Sequence, residues 1–112
     1  MRMKIENKYN FKEFLKTEGN EIIHRPNAIY MVERINDKTV LPHLLTTKKR
    51  VKKALDEDFN FLSEHFASKG YSVVLAWVKL AEKDFMEELQ RRKYIVLTKT
   101  NTHFLLGRVL TW

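Results

Sequence analysis

The chain has 112 residues, of which 44% are hydrophobic and 31% charged, with a formal net charge of +7 and no cysteine. A chain of this length suits one domain that buries roughly 65% of the surface its unfolded form exposes, so a hydrophobic core suffices without crosslinks. The missing thiol excludes a disulfide scaffold, a cysteine nucleophile and thiolate metal sites, and no apolar run is long enough for a signal peptide or a bilayer span; the composition points to a soluble, cytoplasmic protein with no membrane partner.

A short first helix is marked by Asn10 as N-cap, Glu13 three residues on, Tyr9 and Phe14 placed as a hydrophobic staple, and Gly19 suited to the closing left-handed position. Phe11, Phe14 and Leu15 are its apolar side, which predicts a lid packed on the core. Strands follow at 21–24 and 28–35, rich in Ile, Val and Tyr and separated by Arg25, Pro26 and Asn27, which favour a turn. Residues 36–47, NDKTVLPHLLTT, carry Pro42 near their middle and read as the longest loop.

Thr47 is placed to cap a long helix that runs to Lys69 and is closed by Gly70. Val51, Leu55, Phe59, Leu62 and Phe66 recur at steps of three and four and define its buried stripe, with Lys49, Arg50 and Lys53 on the solvent side. Residues 71–78, YSVVLAWV, are almost continuously apolar and predict a central strand buried on both faces. A second helix is expected over 81–93 with Phe85, Met86 and Leu89 inward, and a hairpin over 94–110 turns at Thr100, Asn101 and Thr102. The fold class is α+β (or α/β): one small domain over residues 1–112, with a mixed sheet of four or five strands, two main helices packed on it and a short N-terminal helix.

The excess positive charge is concentrated in two runs. Lys48, Lys49, Arg50, Lys52 and Lys53 open the long helix, and Arg91, Arg92 and Lys93 close the second. The second run suits a helix C-terminus, whereas the first opposes the helix dipole at a cost of ~0.3 to 1 kcal/mol per exposed lysine. Unpaired N–H groups at a helix start, ringed by cations, suit phosphate oxygens. On this reading Thr46, Thr47, Lys48, Lys49, Arg50, Lys52 and Lys53 contact a DNA or RNA backbone, with Arg91, Arg92, Lys93 and Lys99 as a secondary surface. If the two helices run parallel, the two runs lie about 30 Å apart at ~1.5 Å per residue, so a long nucleic acid spans them and a nucleotide does not.

The order helix, basic end, hairpin over 84–109 also resembles the C-terminal end of a winged helix-turn-helix, which would make Lys99 and the Thr-Asn-Thr turn a wing tip. The alternative partner is an acidic protein surface, which would make the chain an inhibitor or adaptor, because such a surface attracts the same lysines.

Chemistry-bearing motifs are sparse. The histidines, at 24, 43, 65 and 103, form no HExxH pair, no metal site is indicated, and no GxxxxGK, GxGxxG or GxSxG calls for a cofactor or supplies a nucleophile. A metal-dependent nuclease of the restriction type needs an acid two residues before a strand lysine, and Trp77 stands there before Lys79. Ile29 and Tyr30 are similar to the first strand of GIY-YIG nucleases, but the second YIG element is absent. Glu33, Asp37 and His43 are two acids and a base near one strand end, with His43 the histidine whose loop setting suits catalysis; Phe61 and Trp112 are aromatics off the core pattern. The sequence therefore points to a small, non-enzymatic nucleic-acid-binding protein with no catalytic residue, metal or cofactor.

Overall fold

In the computed structural model, which describes residues 10–46 and 50–110, Asn10 Oδ1 accepts the Glu13 N–H at 3.0 Å and starts α1 (Phe11–Phe14). Gly19 follows at φ +90°, a conformation that favours glycine, and an added Cβ would lie 2.0 Å from Arg34 Cδ. α1 buries no residue fully: Phe11 and Phe14 are half-buried and Leu15 is 49% exposed, so its apolar side is packed only in part.

Three antiparallel strands come next: β1 (Glu21–Arg25), β2 (Ala28–Asn36) and β3 (Thr39–Leu45). Asn27 turns β1 into β2 at φ 61°. The expected loop over 36–47 is thus mostly strand, and Pro42 pairs in register with Val32. α2 (Lys52–Ser68) crosses to β4 (Val73–Lys79), which is parallel to β3; α3 (Lys83–Arg91) leads to the hairpin of β5 (Ile95–Lys99) and β6 (His103–Val109). The result is one α+β domain with a mixed six-stranded sheet in the order β1-β2-β3-β4-β6-β5.

Leu55, Leu62 and Phe66 of α2 are buried as the stripe predicts, and Leu62 and Phe66 join Leu89 of α3 against Tyr30, Val32, Val40, Val74, Val78 and Leu106 of the sheet. α2 and α3 therefore share one face of the sheet. Val51, by contrast, is 67% exposed as the N-cap, and Asp58 joins the buried positions. β4 is central but alternates: Val74 and Val78 are buried, whereas Trp77 and Lys79 face outward on the helix-free side. The hairpin is the far edge of the same sheet and not a wing, since β6 pairs with β4 along its whole length. Among the described residues no helix is long and apolar enough to cross a membrane.

Candidate functional site

β3 and β4 are in register only at Thr39↔Val73 and Val40↔Val74. Each then runs on, to Leu45 and to Lys79, held by its outer neighbour: β3 by β2 and β4 by β6. Two parallel strands tied on their outer edges and free on their inner ones form a V that opens at their carboxyl ends, where open α/β sheets bind ligands. Pro42 belongs to this geometry. A proline within a sheet is tolerated where no ladder partner needs its N–H, and beyond Val40 β3 has no partner on its β4 side.

The V opens into a cleft of about 1020 Å³. Its floor and helix-bearing side include Leu44, Phe59, Ala76, Phe85, Leu89 and Tyr94; its helix-free side includes Met31, His43, Trp77 and His103. Residue parity explains the division, because Val40, Leu44, Val74 and Val78 point to the helices and Leu41, His43, Leu75 and Trp77 point away.

His43 Nε2 lies 3.3 Å from Glu33 Oε1, so the structure brings together two of the three residues that the sequence grouped at this strand end. Asp37 is elsewhere, paired with Arg34. Tyr94 is 7% exposed, and burial pushes its phenol up to about 12, with the charges of Arg108 and Arg92 pulling back only in part. On the β4 wall of the V, the rings of Trp77 and His103 stack at 5.0 Å with planes 14° apart.

α2 starts after the cleft-lining end of β3, and its N-cap, Val51, offers no side-chain cap. Around it the basic residues separate. Lys52 and Lys53 are exposed in the first turn. Arg50, expected on the solvent side, turns inward: its Nη2 is 2.6 Å from Asp58 Oδ2 and its Nη1 is 2.8 Å from Pro26 O. Asp58, 1% exposed, also accepts from Arg25 Nε at 3.0 Å and from the Tyr30 hydroxyl at 2.7 Å. Burial, and then that bond and charge, push the Tyr30 phenol well above its ordinary value.

Thr46 Oγ1 donates to Asn27 O at 3.2 Å, while Thr47, Lys48, Lys49 and Trp112 lie outside the described residues. The two basic runs are not at opposite ends of the sheet. α3 is short, and Arg92 beyond its end reaches Lys52 O at 3.5 Å, pairs with Asp56 and bonds Glu88 Oε2 at 2.9 Å. Arg91 is 3.6 Å from Glu88, Lys93 takes φ 72° to end the helix, and Lys99 lies over the Phe104 ring at 5.7 Å. Among the described residues no group of three His, Asp or Glu is placed to hold a metal ion.

No family model matches the chain, and no curated protein matches it. Solved structures do. The Campylobacter jejuni N-acetyltransferase PseH is similar at a TM-score of 0.71 and 11% identity, over 89% of this chain and 74% of that one, and was also solved in complex with acetyl coenzyme A. A GNAT family acetyltransferase from Elizabethkingia anophelis with acetyl-CoA bound is similar at 0.70 and 10% identity, over 89% and 81%. The ribosomal-protein-S18-alanine N-acetyltransferase from Escherichia coli is similar at 0.68 and 9% identity, over 93% and 79%.

At these identities the likeness is one of fold. It overturns the expectation of a non-enzymatic protein that binds DNA or RNA through phosphates, together with its adaptor alternative, because the structures sharing this fold are acetyltransferases. The inward turn of Arg50 and Arg92 is one physical reason that the basic runs misled: both arginines pair with acids of the domain itself.

Proposed function

We propose that this chain is an acyltransferase that moves an acyl group from a coenzyme A thioester to a primary amine in the cleft between β3 and β4, working in the cytoplasm. The observation that carries the reading is the parting of the two parallel strands beyond Val40 and Val74. The cleft fits such a ligand in three respects. Its volume of about 1020 Å³ is at the upper end of the ~300–1,000 Å³ usual for ligand clefts. The unpaired inner edges of β3 and β4 suit an extended, amide-bearing chain, which binds a strand edge as another strand would. The start of α2, with Lys52 and Lys53 exposed in its first turn, suits a diphosphate. Two structures of the same fold hold acetyl-CoA.

When bound, the coenzyme supplies the activated acyl group; the residues of this chain handle the protons. An amine attacks only as the free base, so its ammonium form must first lose a proton. With Nε2 donating to Glu33, the Nδ1 lone pair of His43 is left to take that proton. Tyr94, whose phenol burial raises to about 12, would be the residue in the cleft that gives a proton to a thiol leaving group. The buried aliphatic and aromatic walls exclude water, which would otherwise compete for the acyl group.

The test is calorimetry of acetyl-CoA with the full chain, followed by thiol release in the presence of amines. Saturable one-to-one binding and amine-dependent release are expected, with His43→Ala lowering kcat by roughly 10²- to 10⁴-fold. No binding at millimolar coenzyme would end the reading.

A further inference from the structure

The two walls of the V differ in a way that names the acceptor. His43 and Trp77 each stand three residues beyond the last paired position of their strand, Val40 and Val74, and both face the helix-free side. They oppose each other across the opening. One wall thus carries the proton acceptor, His43 with Glu33 behind it. The other is an aromatic plate. Trp77 is 41% exposed although it lies in the middle of a central strand, and it is stacked on His103, whose own orientation is set by a 2.7 Å contact from Nδ1 to Thr102 Oγ1. A half-exposed indole that lines the cleft and is stacked on an imidazole offers a flat, electron-rich surface on which an aromatic group can lie.

We infer that Trp77 and His103 form the acceptor wall of the site, selecting primary amines that carry an aromatic ring on a short linker, an arylalkylamine class. This rests on the coenzyme reading above. The amine meets His43 while the attached ring lies against Trp77. A polycation is disfavoured on this side, because the next outward residue on β4 is the exposed Lys79, and the one acid beside His43, Glu33, is already bonded to it. The acids that line the cleft itself, Glu82 and Asp84, belong to the start of α3 on the helix-bearing side.

The test uses phenethylamine, propylamine and spermidine as acceptors with acetyl-CoA, the full chain, and its Trp77→Ala and Trp77→Phe variants. Phenethylamine should have the highest kcat/KM. Trp77→Ala should lower kcat/KM for phenethylamine roughly tenfold more than for propylamine, through KM, while Trp77→Phe restores most of that preference. A parallel arm needs no coenzyme: phenethylamine should quench indole fluorescence excited at 295 nm in a Trp112→Phe background, where Trp77 is the remaining indole. If acetyl-CoA fails to bind while phenethylamine still quenches, the coenzyme reading fails and the aromatic wall stands. If Trp77→Ala leaves the acceptor preference unchanged, or phenethylamine does not quench, or spermidine is preferred, the aromatic wall is overturned.

Discussion

Replacing Asp58 with alanine should destabilise the domain more than any other single charge removal. Its carboxylate is 1% exposed and is bonded at 3.0 Å to Arg25, at 2.6 Å to Arg50 and at 2.7 Å to the Tyr30 hydroxyl. Truncation leaves two guanidinium groups, 19% and 9% exposed, with their counter-charge gone. Breaking a buried pair from one side in this way costs roughly 3–5 kcal/mol, against a total stability of ~5–15 kcal/mol for a domain of this size. The melting temperature should fall on the order of 10–20 °C. Urea unfolding is the assay, with a lower midpoint and an unchanged slope expected. Adding Arg50→Ala to Asp58→Ala should cost less than the sum of the two single changes, because the second no longer breaks a pair. A loss below about 1 kcal/mol, or strict additivity, would show that the cluster is solvated and does not tie the start of α2 to the β1–β2 turn.

Gly19→Ala should cost about 1–2 kcal/mol in the same unfolding assay, since φ is +90° and the new Cβ meets Arg34; an unchanged midpoint would place that turn elsewhere. Burial pushes the Glu21 carboxyl up, but hydrogen bonds from Lys69 and His65 outweigh it and hold the group below its usual 4.5. Its folded pKa is therefore depressed, so its contribution is present above the unfolded value and is lost as pH falls through the folded one. Glu21→Gln should thus destabilise by up to ~1 kcal/mol at pH 7, with wild type and variant converging in acid; a gap that persists at pH 2 would contradict the assignment. In an absorbance titration, Tyr94→Phe should remove a phenolate step centred at about pH 12, and removal of a step near 10 would mean that the ring is solvated.

The sheet, the helix order and the α2 stripe were legible because they rest on periodicity, which burial respected at Leu55, Leu62 and Phe66. β3 was not legible, because Pro42 breaks a strand pattern wherever both edges need donors, and only the divergence from β4 removes that need. A proline in an otherwise apolar stretch before a βαβ crossover was in fact the one local sign of the cleft. Asp58 was readable in principle: it falls three residues after Leu55 and four before Leu62, on the buried stripe, where an acid needs a cation. Trp77 was hidden by the continuous apolar run around it, although Leu75, Trp77 and Lys79 alternate toward a polar end as a half-exposed strand does. The basic runs misled because charge on a helical wheel says which way a residue starts from the axis, whereas Arg50 lies before the helix and folds back onto it.

The site itself is tested most directly by a two-dimensional amide NMR titration of the uniformly labelled chain with acetyl-CoA. The account predicts saturable shifts at residues 41, 43–46 and 75–79 along the inner edges of the V, at the first N–H groups of α2 and at Tyr94, with β1 and β5 unmoved. No saturable shifts, or shifts confined to the outer strands, would contradict the placement of a coenzyme between β3 and β4.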